Sequence, residues 1–321
     1  MVSNPAESKI VSSKISSVTG TGMVWTEVLD PTPAELEILS RDYHFHPLDL
    51  DSCLSTLQLT KFEDHDDYFF IMLQMPFQND QGIVDCKQVT MFLTKEYLVT
   101  IFPSSLNTIS ELFRSCRGEE KSRSSIMKSP AYLAYRIIDK LTDDISAILD
   151  NVQTALNKIE GVVFNEKQSS ARAINLARRQ IATLRRIEYP LDLYIGDFSS
   201  AQKFSDDDLK IYFSDLHHKV GKISARIGEE KEIVEIYNDT DFITSSNRTN
   251  TVLSFLTLIF TLTLPAALVA AFYGMNLPIP GALVPGALSF FGTYTSLLFV
   301  SILMVVPTFI MAVYFKRRGW F

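Results

Sequence analysis

Asn250–Tyr273 reads NTVLSFLTLIFTLTLPAALVAAFY, and Gly274, Met275 and Asn276 follow it directly. The run lies inside a 67-residue stretch, Thr249 to Phe315, that contains no Asp, Glu, Lys, Arg or His. As a helix rising ~1.5 Å per residue, such a run crosses a hydrocarbon core of about 30 Å. A second apolar run, Gly292 to Phe315, has the same length. Residues 277–291 between them hold Pro278, Pro280, Gly281, Pro285 and Gly286, a composition that turns the chain instead of continuing a helix. Two membrane spans are therefore expected, at 250–273 and 292–315, joined by a motif and loop at 274–291.

Lys and Arg set the orientation. Arg248 precedes the first span and Lys316, Arg317 and Arg318 follow the second, while the loop between has neither residue type. The positive-inside rule puts both termini in the cytoplasm and the loop outside, in a cell or inner membrane. The first residues carry no charged-then-apolar leader, so residues 1–248 are expected to stay cytosolic. Cys53, Cys86 and Cys116 are scattered and suit a reducing compartment. The net charge of −7 argues against a nucleic-acid partner. No GxxxxGK[ST], GxSxG or HExxH pattern occurs, so neither an enzyme nor a bound cofactor is expected.

Before the spans the pattern changes twice. Residues 1–22 are Ser/Thr-rich and are expected to be poorly ordered. Residues 23–126 carry apolar runs of strand length at Tyr68–Leu73, Val89–Leu93 and Tyr97–Phe102. Thr94-Lys95-Glu96 fits a hairpin turn, and Thr32-Pro33-Ala34-Glu35 fits a helix start, so this part reads as an α/β layer. Residues 127–202 show helical spacing over 131–162 and 168–188 and predict an antiparallel helix pair, with Pro190 ending its second member. From about Ser205 to Tyr273 only Pro265 interrupts a helical pattern, so the 203–249 stalk is expected to run straight into the first span. About 70 residues of helix would measure about 105 Å, too long to be stable alone, which implies self-association. Residues 316–321 form a basic tail.

Several of these segments share a likeness. Tyr273-Gly274-Met275-Asn276 at the outer end of a first span, with the tail Lys316-Arg317-Arg318-Gly319-Trp320-Phe321, resembles the CorA family of divalent-cation channels. The likeness extends to Phe45-His46-Pro47-Leu48-Asp49-Leu50-Asp51, to Lys61 through Tyr68, to Tyr212-Phe213-Ser214-Asp215, and to Ser246-Asn247-Arg248-Thr249-Asn250. The resemblance implies a funnel-shaped homopentamer whose first spans line a pore and whose second spans ring them. It implies Mg²⁺ as the transported and regulatory ion, with Co²⁺ or Ni²⁺ as further cargo. The zinc-transporting branch of the same superfamily, with or without proton coupling, is the alternative. One departure stands out: residues 277–291 hold no acid, where many relatives have one soon after the signature.

Mg²⁺ holds its water tightly and prefers octahedral oxygen, so an economical filter contacts the hydration shell. Five copies of the Asn276 carboxamide can do that, with backbone carbonyls of Gly274 beside it and Met275 between. The simpler reading is that Gly274 and Asn276 cap the first helix. Below the mouth one helical stripe runs Asn250, Leu253, Leu256, Phe260, Leu264, Ala267 and Ala271. The family would put Leu253, Leu256 and Leu264 on the pore axis as an apolar throat that gates by dewetting, with Asn250 as a second polar ring. Leu264 and Ala267 stand where many relatives have Met and Thr. Neither span holds a carboxylate or an imidazole, so a passive channel is the better physical reading than a proton-coupled carrier.

Control from the cytosol would rest on acids that bind Mg²⁺ between subunits. The resemblance carries Asp215 into this role, with Asp239 as an acidic ring nearer the membrane, Asp241 beside it, and Asp85 as candidate partner from a second subunit. The simpler reading makes these acids a solvated helix face. Asp206-Asp207-Asp208 reads as a helix N-terminus. His217 and His218 are adjacent and point to different faces. Lys316, Arg317 and Arg318 form a basic collar suited to anionic lipid.

Overall fold

The computed structural model describes residues 14–55, 60–79, 82–163, 170–200, 207–275 and 295–319. Asn276 and the loop expected at 277–291 lie outside the described residues, as does the first part of the stretch expected to be poorly ordered. The chain divides into two compact units, Met1–Asp241 and Phe242–Phe321.

The first unit is built on a six-stranded sheet in the order β1-β2-β6-β5-β4-β3. Its strands are β1 Ile15–Gly20, β2 Met23–Leu29, β3 Lys61–Asp64, β4 Phe69–Gln78, β5 Val84–Leu93 and β6 Tyr97–Phe102. Only β2 and β6 pair in parallel; the other neighbours are antiparallel. Helices α1 (Pro33–Tyr43) and α2 (Pro47–Leu54) cover one face. There Phe70, Met72, Phe92 and Val99 pack with Leu36, Leu39, Phe45 and Leu50. The opposite face, with Trp25, Ile71, Leu73, Met91 and Leu98, meets the longer helices. Burial on both faces explains why β4 begins as an unbroken apolar run instead of alternating.

Local signals act where they were expected. Glu35 accepts a hydrogen bond from the Thr32 backbone N–H at 3.0 Å, closing the capping box that starts α1. Thr94 N–H donates to the Tyr97 carbonyl at 3.0 Å and forms the β5–β6 turn. Two expectations fail. Strand β1 lies within the stretch expected to be poorly ordered: its Ile15 and Val18 bury into opposite faces of the sheet, and all six residues pair with β2. The partner strand, not the Ser/Thr-rich composition, decides its structure. Pro190 lies inside a helix instead of ending it, because Leu191 and Ile195 beyond it are fully buried and continue the apolar stripe. Burying two such side chains, at ~1.5–3 kcal/mol each, offsets the ~3 kcal/mol that the lost hydrogen bond and ring clash of an interior proline cost.

Below the sheet run α3 (Asn107–Gly118), α4 (Glu120–Ile126), α5 (Pro130–Val163), α6 (Ala171–Ser200) and α7 (Asp207–Tyr273). Within the first unit the buried positions of α7 are Leu209, Phe213, Leu216, Val220, Ile223, Ile227, Glu230, Val234 and Tyr237, alternating four and three apart as in a coiled-coil seam. Lys219 Nζ lies 2.6 Å from Asp139 Oδ1 and 2.6 Å from Asp143 Oδ1, tying α7 to α5. Asp241 accepts from the Ser170 backbone N–H at 2.9 Å, just before α6 begins.

Glu188 on α6 and Glu230 on α7 occupy buried seam positions, and burial raises the pKa of both. Glu27 on β2 is pushed up to about 7 by burial, against the downward pull of Arg114 and Arg117. A carboxyl whose folded pKa lies above its unfolded value holds its proton longer in the folded chain. Its stabilising contribution is present in acid and is lost as pH rises from about 4.3 through the folded pKa. Glu27→Gln is therefore expected to melt with wild type near pH 4 and several degrees above it at pH 8. Equal melting temperatures at pH 8 would show that Glu27 is solvated.

The second unit holds the rest of α7 and α8 (Thr295–Arg317), and both helices are long and apolar enough to span a membrane. Leu253, Phe260, Leu264 and Phe309 are all exposed in the single chain. So continuous an apolar surface needs lipid or further copies of the chain to cover it.

Candidate ion-conduction path

Helix α7 carries the first span and ends at Tyr273. The Gly274 N–H still donates to the Ala270 carbonyl at 2.9 Å, so helical bonding reaches into the signature motif. Gly274 is not in the left-handed conformation of a glycine cap. A Cβ at this position would lie 3.0 Å from the Ala270 carbonyl oxygen, a tight contact that the helix end would have to relieve by a few tenths of an ångström. Met275 is exposed beyond it.

Three threonine hydroxyls along the span bond within the helix. Thr251, Thr261 and Thr263 hydroxyls donate to the carbonyls of Asn247, Thr257 and Ile259 at 2.9, 2.6 and 2.9 Å. Pro265 has no N–H, which frees the Thr261 carbonyl from its helical donor partway along the span. The stripe expected to line a pore, Asn250, Leu253, Leu256, Leu264 and Ala267, is exposed throughout, while Leu258 is the buried residue of this span. At the other end α8 places Lys316 and Arg317 in its last turn, and Arg318 lies over the Tyr314 ring at 5.7 Å.

Within one chain Asp85, Asp215 and Asp239 stand apart, and the pairing expected of them is between subunits. Asp85 is exposed on β5, where its own Oδ1 accepts from the Cys86 backbone N–H at 2.9 Å. Asp215 and Asp239 are exposed on α7. Asp215 adds to the upward shift of the Tyr135 hydroxyl, behind burial and Asp139. Asp241 is engaged with Ser170 and is structural. His217 Nδ1 lies 3.5 Å from Asp192 Oδ1 on α6, an interhelical pair and not a shared metal site with His218. The freed Thr261 carbonyl is not among the residues the sequence pointed to, although Pro265 signals it. Nor did the sequence assign a role to the acidic run at Lys61–Tyr68.

Taken together, an α/β unit, one continuous helix into a charge-free apolar segment and a second apolar helix with a basic end fit a membrane protein with two spans. Residues 20–317 match the model of the CorA-like Mg²⁺ transporter protein family, and the chain belongs to that family. It is 29% identical over 285 residues to the cobalt/magnesium transport protein CorA of Thermotoga maritima, covering 87% of this chain and 77% of that one. The complete structure of the CorA magnesium transporter from Methanocaldococcus jannaschii superposes with a TM-score of 0.78 at 18% identity, covering 95% of this chain and 94% of that chain. The cytoplasmic domain of ZntB from Vibrio parahaemolyticus shares the fold with a TM-score of 0.59 at 18% identity, over 72% of this chain and 89% of that one. The chain is a divalent-cation transporter of the CorA family.

Proposed function

We propose that this chain forms a homopentameric, passive channel for Mg²⁺ that also admits Co²⁺ or Ni²⁺. The observation that carries this reading is the first span: free of titratable groups from Asn250 to Tyr273 apart from the terminal tyrosine, and followed directly by Gly274, Met275 and Asn276. Around a five-fold axis the Asn276 side chains hold the hydrated ion, and Gly274 and Met275 shape the ring. Weak, neutral oxygen contacts let the ion leave again. Leu253, Leu256 and Leu264 close the throat by dewetting, with Ala267 above and Asn250 at the cytosolic edge. Both termini face the cytosol, and Lys316, Arg317 and Arg318 form a collar at anionic lipid.

A second reading, Zn²⁺ as cargo with proton coupling, draws on the acid-free loop at 277–291, which would concentrate Mg²⁺ weakly at the mouth. The spans argue against coupling, since they offer no acid or imidazole relay. Proteoliposomes loaded with Mg²⁺- and Zn²⁺-sensitive dyes distinguish the two. Mg²⁺ entry indifferent to a pH gradient is expected, whereas Zn²⁺ entry that follows the gradient with little Mg²⁺ entry would replace this proposal.

Closure follows from cytosolic Mg²⁺ bound between subunits at Asp215, with Asp239 and Asp85 as further acids. Loss of such a ligand changes coupling by about 1 kcal/mol or more, so Asp215→Asn is expected to raise the internal Mg²⁺ needed to halve influx by about fivefold. Unchanged inhibition in that variant would return Asp215 to the role of a solvated helix acid.

A further inference from the structure

We propose that Asp49, Glu63 and His65 form a binding site for a divalent transition cation, separate from the conduction path. Asp49 stands in the first turn of α2 and is buried; Glu63 is on β3, and His65 opens the turn into β4. One ligand atom from each lies within 4.8 Å of the others. His65 Nε2 is 3.0 Å from Asp49 Oδ2 and 3.8 Å from Glu63 Oε2. Two ligands ~2.0–2.1 Å from one metal ion lie about 3–3.4 Å apart, so a small rotation of the half-exposed Glu63 completes the set. A cavity of about 520 Å³, also lined by His46, Asp51, Ser52 and Lys61, opens onto these groups and leaves room for water ligands.

The surroundings are those of a built site and not of a chance surface pair. Tyr68 Oη donates to Asp49 Oδ2 at 2.6 Å and accepts from the His46 backbone N–H at 3.0 Å, which fixes the carboxylate through the same oxygen that faces His65. Such outer hydrogen bonds orient metal-ligating carboxylates. The turn itself is pinned, since the His65 backbone N–H donates to the Tyr68 carbonyl at 3.0 Å. His46 is the cap of α2, its Nδ1 accepting from the Leu48 N–H at 3.3 Å, so it borders the site without serving as a ligand. Lys61 Nζ, 3.6 Å from Glu63 Oε1, is the half-exposed cation that a metal ion would displace.

One imidazole nitrogen with two carboxylates suits Zn²⁺, Co²⁺ or Ni²⁺. Mg²⁺ prefers oxygen alone and gives up its water reluctantly. The site would therefore respond to transition-metal load in the presence of ordinary Mg²⁺, tying α2 to the β3–β4 hairpin when filled. This stands whichever ion crosses the membrane.

The test is a Co²⁺ titration of the full-length, detergent-solubilised, chelator-stripped protein in excess Mg²⁺, followed by visible absorption and equilibrium dialysis. Wild type is expected to bind a single Mg²⁺-resistant Co²⁺ per chain. His65→Asn should lose it, and Glu63→Gln should bind it at least about tenfold more weakly. Wild-type binding in both variants, or complete displacement of Co²⁺ by Mg²⁺, would overturn the proposal and leave His65 as an ion-pair partner of Asp49. Melting of each variant in chelator checks the fold; should His65→Asn melt low, Glu63→Gln decides the outcome.

Discussion

Asn276→Ala is expected to lower Mg²⁺ influx into proteoliposomes by at least about tenfold while leaving assembly and melting temperature unchanged. The side chain is polar, terminal to the span and repeated in every subunit of the proposed pore. In the proposed pore each carboxamide would accept a hydrogen bond from water polarised by a divalent ion, and a bond to a charged group is worth about 1.5–3 kcal/mol. Even one such contact per ion lost at the rate-limiting position gives a tenfold effect at about 1.4 kcal/mol. Alanine offers no acceptor at all. Asn276→Asp should instead bind the ion more tightly and slow its release, because a ring of charges replaces a ring of dipoles. Full Mg²⁺ influx through the alanine variant would move the filter away from this motif.

Phe92→Ala is expected to destabilise the α/β unit by about 3–5 kcal/mol. Phe92 is fully buried at the centre of the sheet, near the end of β5. Its ring stacks on Phe45 at 3.9 Å between centroids and meets Phe70 at 5.1 Å and Tyr68 at 5.6 Å. Phe45 immediately precedes the α2 cap and Tyr68 holds Asp49, so the cavity would loosen α2 as well as the sheet. A loss of this size is a large fraction of the ~5–15 kcal/mol that holds a domain folded. Limited proteolysis and thermal melting should both report it, and a melting temperature within about a degree of wild type would mean that the aromatic cluster repacks around the gap.

Elements governed by local chemistry are readable from the sequence. A run with no charge between Thr249 and Phe315 has few uses other than a membrane. Thr32 and Glu35 announce α1 because a capping box is a contact across three residues. Elements governed by distant partners are not readable in that way. Strand β1 is ordered by β2, and α6 continues past Pro190 because Leu191 and Ile195 find a core on other helices. The Asp49, Glu63 and His65 cluster needs α2 placed against the β3–β4 hairpin, which no spacing along the chain expresses. Asp241 looks equivalent to Asp239 in the sequence; only the position of Ser170 separates a structural acid from an exposed one.

Transport driven by potential alone tests the passive-channel claim most directly. Proteoliposomes holding the intact protein would be clamped at different K⁺ diffusion potentials, with equal pH on both sides and a protonophore present, and Mg²⁺ entry followed by an internal dye. A passive pore predicts entry that rises steeply as the interior is made more negative, since each divalent ion gains about 4.6 kcal/mol per 100 mV. Entry that stays at the level of empty vesicles at every potential, and appears only when a pH gradient is imposed, would contradict it.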